Sequence, residues 1–436
     1  MKYISTSKQA EPVSFLEAMR NGLAPDGGLY MPETVPVLDK AFWDSISEYK
    51  FSEIAFRIAK PWLNNELSDN ELQQVIETAF NFSANVHSLQ KQHILELFHG
   101  PTFAFKDFGA RFMARLFSEK AKKADQRVTI LVATSGDTGS AVARGFYKVS
   151  GVNVCLLYPK GKVSPLQEKQ MATLGENVTA LEVDGVFDDC QRMVKQAFTD
   201  SELNRQLTLS SANSINIARL LPQSFYYALA VSELKKMGHN EIIFSVPSGN
   251  FGNLTGGLIA KKMGLPVQRF IAATNRNEVV PDFLKGSEFS PKPSVQTISN
   301  AMDVGNPSNF VRMLHLYGGS EKAMRKEISG YSYSDDQTRE TIREVYTNEN
   351  YLLCPHTAIG YRAADEFRRE TGSRAEIVTL ATAHPIKFKD VIEKETGQEI
   401  PIPNQLKKDL QEEKKSIPMS SNFSEFKAFL MDQYRQ

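Results

Sequence analysis

From residue 91 onwards, short apolar runs alternate with segments of helical length, and this alternation limits the fold more than any other feature of the sequence. The clearest run is Val128–Ala133, and helix-forming segments separate it from further runs at residues 152–157, 178–183, 241–246, 268–273 and 377–381. Apolar strands separated by helices of this length form βαβ units around a parallel sheet. We therefore predict an α/β fold with two α/β regions, at residues 91–238 and 239–436.

Residues 1–90 lack this alternation, and we predict a mainly helical N-terminal region there. Ser14 followed three positions later by Glu17 is typical of a capping box, which opens a helix that should end near Gly22. Apolar residues at helical spacing continue between residues 40 and 90.

Four other segments carry predictions about local structure. We expect a helix from about residue 109 to 123, and a long helix at residues 215–237 in which Pro222 either causes a kink or lies near the start. Residues 285–309 are rich in Ser, Pro, Asn and Gly, which predicts a long loop, and such loops are often functional. The last 40 residues are charged and should be helical.

The charge balance and the cysteines exclude several classes of function. Lys plus Arg number 51 and so do Asp plus Glu, which gives no electrostatic basis for binding nucleic acid or an anionic membrane. The three cysteines lie far apart, and an odd number argues against a disulfide framework. No run of about 18 apolar residues and no signal-peptide pattern is present. We expect a cytoplasmic protein that acts on a small molecule, as a monomer or homodimer.

The most distinctive short segment is residues 99–109, in which Lys106 stands among Phe103, Phe105 and Phe108. If these rings exclude water, the charged form is disfavoured and the pKa of the lysine falls. A neutral lysine amine can attack a carbonyl carbon and form a Schiff base, which is how enzymes hold pyridoxal phosphate. The alternative is a lysine that packs its methylene groups on the rings and extends its ammonium group into water.

Three small polar loops follow three of the apolar runs, at residues 135–139, 248–253 and 382–384. In open parallel sheets, loops at the carboxyl ends of strands form the ligand crevice. The glycines in these loops let the backbone approach a ligand closely.

The second of these loops, with Gly249, Asn250, Phe251 and Asn253, precedes a predicted helix. Its backbone N–H groups and the helix dipole would suit a phosphate group. The alternative is an ordinary strand-to-helix turn with an asparagine cap.

Further candidates would contact an anionic substrate. Asn213, Asn216 and Arg219 are three residues apart and would share one helix face, and their amide and guanidinium groups suit phosphate and carboxylate groups. Helix capping explains Asn213 equally well, and Arg219 fits an ordinary surface charge. Ser135 and Thr138 offer hydroxyl groups to the same anions, or cap the next helix.

The histidines point to no metal centre, because they form no HxxxH or HExxH pattern. His99 and His384 lie beside glycine and proline, without an evident orienting partner. A structural role is therefore favoured over general-base catalysis for both residues.

Taken together, these segments resemble the threonine synthase family. The Lys106 segment, the loops at residues 134–139 and 249–253, and Thr382–Pro385 occur in the family's order, and residues 23–32 extend the resemblance into the N-terminal region. The resemblance covers nearly the whole chain and is closest to the bacterial and fungal branch. It implies two doubly wound α/β domains of the tryptophan-synthase-β kind, which is fold type II of the pyridoxal-phosphate enzymes.

The resemblance also implies the roles of individual residues. Lys106 would form the Schiff base with pyridoxal phosphate, the turn at residues 249–253 would hold the cofactor's phosphate, and Thr382 would hydrogen-bond its pyridine nitrogen. Asp137 departs from many relatives, in which an asparagine contacts the phenolic oxygen of the cofactor. An aspartate anion would repel that oxygen.

The activity implied is the conversion of O-phospho-L-homoserine and water to L-threonine and phosphate, the last step of threonine biosynthesis. Lys106 would remove the Cα proton. One alternative is a dehydratase or phospho-lyase on the same scaffold, which would release ammonia. Another is a non-catalytic nucleotide or phospho-ligand binding protein, which would be colourless when pure.

Overall fold

The structure, a computed structural model, describes residues 1–63, 66–121 and 127–435. Strands in these residues are, in chain order, β1 (Tyr3–Ser5), β2 (Tyr30–Pro32), β3 (Asn85–Ser88), β4 (His93–Glu96), β5 (Val128–Ala133), β6 (Val152–Pro159), β7 (Val178–Asp184), β8 (Thr208–Ser211), β9 (Ile242–Pro247), β10 (Arg269–Thr274), β11 (Ile328–Ser332), β12 (Glu376–Ala381) and β13 (Ile417–Ser420).

Helices are distributed along the described ranges, and short 3-10 turns lie at Ile46–Glu48, Asn300–Met302 and Pro385–Phe388. The α-helices are α1 (Phe15–Asn21), α2 (Lys40–Asp44), α3 (Phe51–Leu63), α4 (Asp69–Ala79), α5 (Lys106–Ala121), α6 (Asp137–Phe146), α7 (Pro165–Ala172), α8 (Phe187–Thr199), α9 (Ser201–Gln206), α10 (Ile217–Leu220), α11 (Gln223–Lys236), α12 (Gly252–Lys262), α13 (Val279–Leu284), α14 (Phe310–Leu316), α15 (Glu321–Glu327), α16 (Asp335–Glu349), α17 (Pro355–Thr371), α18 (Lys389–Thr396), α19 (Asn404–Gln411) and α20 (Phe423–Tyr434). Within the described ranges, no helix is both long and apolar enough to span a bilayer.

Two sheets carry the predicted α/β architecture. One has the strand order β13-β7-β6-β5-β8 and is entirely parallel. The other has the order β11-β10-β9-β12-β4-β3 and is parallel except for the antiparallel edge pair β3 and β4. Central strands such as β5 and β9 are buried along their whole length, as expected where helices cover both faces of a parallel sheet. The prediction of an α/β fold with parallel sheets is confirmed.

The sheet order brings three loops together. Strand β12 lies between β9 and β4, and Ala381 pairs with Glu96. All three strands run in the same direction, so the segments that follow them leave the same edge of the sheet. These segments carry Gly249, Lys106 and Thr382.

The N-terminal region is mainly helical, as predicted, with a small antiparallel pair formed by β1 and β2. Its first helix begins at the predicted capping box, in which Ser14 Oγ accepts from Glu17 N and the Glu17 side chain accepts from Ser14 N. That helix ends before Gly22, whose φ of 70° suits a glycine after a helix end.

Three local predictions need correction. The helix predicted from about residue 109 begins at Lys106, because Asp107 already bonds back to the preceding turn; residues 122 and 123 of that prediction lie outside the described residues. The helix predicted at 215–237 is two helices, α10 and α11, and Pro222 lies directly before α11, which agrees with the alternative that the proline is near a helix start. The C-terminal segment contains strand β13, which pairs with β7, so it is not wholly helical.

The two sheets take strands from both sides of the boundaries that we predicted at residues 90 and 238. Strand β4 belongs to the sheet formed mainly by the later half of the chain, and β13 returns to the sheet formed by the earlier half. The division into three domains therefore stays a prediction.

Candidate active site

A cavity of about 630 Å³ is lined by loops that follow strands of both sheets. Most of the predicted site residues line it: Lys106, Ser135, Thr138, Asn213, Arg219, Gly249, Asn250, Phe251, Asn253 and Thr382. The predicted long loop also contributes, through residues between 292 and 308. The structure thus gathers, at one place, candidates that are nearly 280 residues apart in the chain.

Lys106 is the first residue of α5, and the turn before it is held by Asp107. The buried Asp107 carboxylate accepts from Thr102 N and from Thr102 Oγ1, each at 2.8 Å. A side chain at Gly100 would lie 2.4 Å from that carboxylate, so the turn requires glycine there. Phe103 takes a left-handed conformation with φ of 59°, which is uncommon for a residue other than glycine. The lysine therefore projects from a tightly bonded turn.

The Lys106 turn is also joined to the segment after β12. Phe105 N donates to Thr382 O at 2.9 Å, and His384 N donates to Phe103 O at 3.0 Å. These bonds fix Lys106 relative to Thr382 through the backbone. The Thr382 hydroxyl has no hydrogen-bond partner among the described residues.

Burial in the cavity lowers the pKa of Lys106 to about 8, against an opposing effect of Asp137. The positive charges of Lys387 and Arg219 lower this pKa further. The predicted cause, exclusion of water from around the lysine, is confirmed as the largest effect. Of the three rings, the Phe105 centroid lies 5.8 Å from Nζ, whereas Phe108 packs in the core and Phe103 packs against His384.

The turn after β9 has the properties of an anion site. Among the described hydrogen bonds, none is donated by the backbone N–H groups of residues 249–253. A Cβ atom at Gly249 would lie 2.6 Å from Met302 Cα, so the close approach of these chains requires glycine. Phe251 has φ of 58°, and α12 begins directly after it. Unpaired N–H groups at a helix N-terminus suit a phosphate.

The asparagine side chains of this turn hold its shape. Asn250 donates to Ser214 Oγ at 2.7 Å and accepts from Ser308 N, and Asn253 donates to Pro247 O at 2.9 Å. Asn253 Oδ1 accepts from Leu254 N at 2.9 Å. Their side chains are therefore used within the protein, and the backbone N–H groups remain for a ligand.

Arg219 and Asn213 line the cavity with unpaired polar atoms. Arg219 is 4% exposed, and burial lowers its pKa to about 10. One of its terminal nitrogens donates to the backbone of Ala212, while Nε has no partner and no carboxylate pairs with it among the described residues. Asn213 Oδ1 is likewise buried without a partner. The charge of Asp107 acts on Arg219 only from a distance, and a buried cation without a salt bridge favours an anionic ligand beside it.

The remaining candidates divide into two groups. Ser135 and Thr138 line the cavity, and neither hydroxyl has a hydrogen-bond partner in the described part of the chain. Asn216 does not line the cavity and is fully buried. Its Oδ1 caps α10 through Ala218 N, and its Nδ2 donates to Met19 O. The expected substrate contact of Asn216 therefore has no support, because all its polar atoms serve the protein.

Neither candidate histidine lines the cavity. His384 Nδ1 accepts from Ile386 N at 3.1 Å and caps the following turn, and burial lowers its pKa to about 4. His99 Nε2 bonds to Glu96 at 2.8 Å. Both therefore have the structural role that the sequence favoured.

Sequence reasoning missed Lys387. Its side chain has no exposed surface, and its Nζ lies 2.6 Å from Asp137 Oδ1. Burial alone would raise the pKa of Asp137, but the Lys387 and Lys106 ammonium groups hold it well below its usual range. A lysine between Ile386 and Phe388 has the same sequence signature as Lys106, a charge among apolar residues, and that signal was available.

The residues present suit pyridoxal phosphate. The cavity offers an amine of lowered pKa, unpaired backbone N–H groups for a phosphate and a free hydroxyl on Thr382. Together they match the chemistry of an aldehyde, a phosphate and a ring nitrogen on one small molecule.

Comparison with known proteins agrees with this geometry. A family model described as "Pyridoxal-phosphate dependent enzyme" matches residues 93–383. Models described as "Threonine synthase N terminus" and "Threonine synthase, C-terminal" match residues 2–80 and 357–430. Three family descriptions thus cover almost the whole chain in order.

Individual relatives are similar over their full length. The threonine synthase of Serratia marcescens is 45% identical over 433 residues, which covers 99% of each chain. The crystal structure of threonine synthase from Escherichia coli has a TM-score of 0.91 and 42% identity, and covers 99% of this chain and all of that one. A structure of pyridoxal-phosphate-bound threonine synthase from Brucella melitensis has a TM-score of 0.92 and 34% identity over the whole of both chains.

Proposed function

The chain belongs to the threonine synthase family of pyridoxal-phosphate-dependent enzymes, and on that basis we propose that it converts O-phospho-L-homoserine and water to L-threonine and phosphate. The observation that carries this proposal is one cavity that combines three features. These are an amine with a pKa of about 8 on Lys106, a turn at residues 249–253 whose backbone N–H groups have no partner among the described residues, and the buried guanidinium of Arg219, whose Nε has no hydrogen-bond partner there.

Pyridoxal phosphate would be held at three points. Lys106 would carry the covalent link, the backbone N–H groups of residues 249–253 would bind the phosphate, and the Thr382 hydroxyl would bond to the pyridine nitrogen. When bound, the cofactor withdraws electrons from the amino acid attached to it, which makes protons near the amino group acidic.

The protein's own residues would bind and orient the substrate. The Arg219 guanidinium, with the amide of Asn213 and the hydroxyls of Ser135 and Thr138, offers donors to the substrate's carboxylate and phosphate. Arg219 supports this role most strongly, because it is buried and no described carboxylate forms a salt bridge with it, although the charge of Asp107 acts on it from a distance. Pairing with an anion would relieve that cost.

Lys106 would move the first proton. The substrate's amino group would first displace Lys106 from its covalent link. With a pKa of about 8, part of the freed amine is neutral near pH 7 to 8, and Nζ can then accept the Cα proton of the substrate. The overall change also requires loss of phosphate from Cγ and addition of water at Cβ. The turn before Lys106, which is held by the hydrogen bonds from Thr102 to Asp107, would keep Nζ in place through these steps.

The test is release of phosphate and formation of L-threonine from O-phospho-L-homoserine. The Lys106→Ala variant should lose both products, and its cofactor should wash out because the covalent link is absent. Lys120→Ala is the matched control, since Lys120 lies in the same helix, about 21 Å further along it. It should retain turnover.

The two rival activities give different products. A dehydratase or phospho-lyase would release ammonia and a keto acid from the same substrate, and a non-catalytic binding protein would release nothing. Full turnover by the Lys106→Ala variant, or ammonia in place of threonine, would contradict the proposal.

We further propose a cytoplasmic location. The three cysteines are free and buried, which suits a reducing compartment.

A further inference from the structure

The Lys387–Asp137 ion pair lies beside the proposed cofactor lysine and is almost completely shielded from water. The exposed fractions of the two side chains are 0% and 5%. Gln167 Nε2 also donates to Asp137 Oδ1, at 2.9 Å. Buried ion pairs contribute little to folding stability on average, so stability alone does not explain why this pair lies beside Lys106.

The pair joins separate segments of the site. Lys387 Nζ donates to Thr102 O at 2.9 Å, in addition to its contact with Asp137. Thr102 in turn holds Asp107, the neighbour of Lys106. One ammonium group therefore connects the Lys106 turn, the loop after β5 and the turn after Thr382.

We propose that Lys387 is a positioning residue, which compensates the charge of Asp137 and joins it to the turn that carries Lys106. The proposal rests on the assignment of Lys106 as the cofactor lysine. When Lys387 is present, its positive charge balances the carboxylate of Asp137 beside Lys106. Without Lys387, Lys106 would be the main cation left to balance that buried carboxylate.

The charges that face Lys106 come from several elements. Asp137 of α6 raises its pKa, whereas Lys387 of the turn at 385–388 and Arg219 of α10 lower it, beside the larger effect of burial. His356 of α17 is also close, and burial lowers its pKa to about 4, so it is neutral at the pH of assay. Removing Lys387 should therefore raise the pKa of Lys106, and removing the charge of Asp137 should lower it.

The test is a cycle of Lys387→Met, Asp137→Asn and the double variant. The measurement is the rate at which pyridoxal phosphate attaches covalently to the cofactor-free full chain, followed by visible absorbance across a pH series. The rate depends on the neutral fraction of Lys106, so the midpoint of the profile reports its pKa. A rise of one pKa unit lowers the neutral fraction about tenfold at lower pH.

We expect the two single variants to shift the midpoint of the pH profile in opposite directions, and these shifts to cancel in the double variant. Lys387→Met should move the midpoint up by about one unit or more, Asp137→Asn should move it down by about half a unit or more, and the double variant should return to within about 0.3 unit of the unchanged chain. A merely structural role would slow attachment without shifting the midpoint in opposite directions. Unshifted midpoints, or shifts of the same sign, would overturn the proposal.

Lys389→Met is the matched control, because Lys389 lies two residues further on and is partly exposed, with its Nζ 3.4 Å from Glu393. It should leave the midpoint unchanged, since solvent screens that charge. If Lys387→Met does not fold, Asp137→Asn alone decides, and an unchanged or raised midpoint overturns the proposal. Because attachment is measured without substrate, failure here is distinct from failure to make threonine.

Discussion

Replacing Gly249 by alanine tests whether the turn at residues 249–253 binds the cofactor's phosphate. The added Cβ would lie 2.6 Å from Met302 Cα and 2.8 Å from Ala301 O. Carbon atoms prefer separations of about 3.5–4.0 Å, so the turn or its neighbour must move by about 1 Å. A movement of that size takes N–H donors out of hydrogen-bonding range of a phosphate held at about 2.9 Å.

The expected loss follows from the bonds broken. Hydrogen bonds to a charged group contribute about 1.5–3 kcal/mol each, so losing two of them costs at least about 3 kcal/mol. This corresponds to a dissociation constant for pyridoxal phosphate that is about 100-fold larger. Titration of the cofactor-free chain by fluorescence measures it, and pyridoxal, which has no phosphate, is the second ligand.

Gly252→Ala is the matched control within the same turn. Its Cβ would meet Ser214 Cβ at 3.3 Å and two amide nitrogens at 3.5 Å, which small adjustments can accommodate. Affinity for pyridoxal phosphate should stay within about threefold, because no N–H donor is displaced. The reasoning fails if Gly249→Ala binds the cofactor as the unchanged chain does, or if it weakens pyridoxal as strongly as pyridoxal phosphate.

Three further variants or conditions test other parts of the site. Asn216→Ala should lower the free energy of unfolding in urea by about 1–2 kcal/mol, through loss of the α10 cap, while cofactor affinity is unchanged; a lost cofactor with intact stability would contradict this. Arg219→Gln should raise KM for O-phospho-L-homoserine at least about tenfold with the cofactor spectrum unchanged, because it removes a charged donor, and an unaltered KM would remove Arg219 from the substrate site. Attachment of pyridoxal phosphate should slow about tenfold for each pH unit below 8, since Lys106 is neutral only above its pKa, and a flat profile would contradict the lowered value.

Much of the architecture was predictable because its signals are local. Buried parallel strands such as Val128–Ala133 are continuous apolar runs, and the structure has that strand with the predicted bounds. The capping box at Ser14 and the break at Pro222 likewise follow from the chemistry of two or three neighbouring residues. The meeting of the loops after β9 and β12 followed from the general geometry of parallel sheets, whereas the loop after β5 reaches the same cavity from the other sheet.

The features of the site that the sequence did not predict depend on contacts between residues that are distant in the chain. Asn213 and Asn216 look alike in the sequence, yet only the structure distinguishes a cavity residue from a helix cap bonded to Met19. The rings beside Lys106 suggested the right pKa direction, but only the structure shows that Phe108 packs into the core. The apolar neighbours of Lys387 gave a local signal, but its pairing with Asp137, which lies 250 residues earlier, could be found only in the structure.

The most direct measurement is the site of covalent attachment of the cofactor. The loaded protein is reduced with borohydride, which makes the link permanent, and is then digested and mapped by tandem mass spectrometry. We predict a single pyridoxyl phosphate label on Lys106. A label on Lys387, Lys162 or any other lysine, with Lys106 unmodified, would contradict the central assignment.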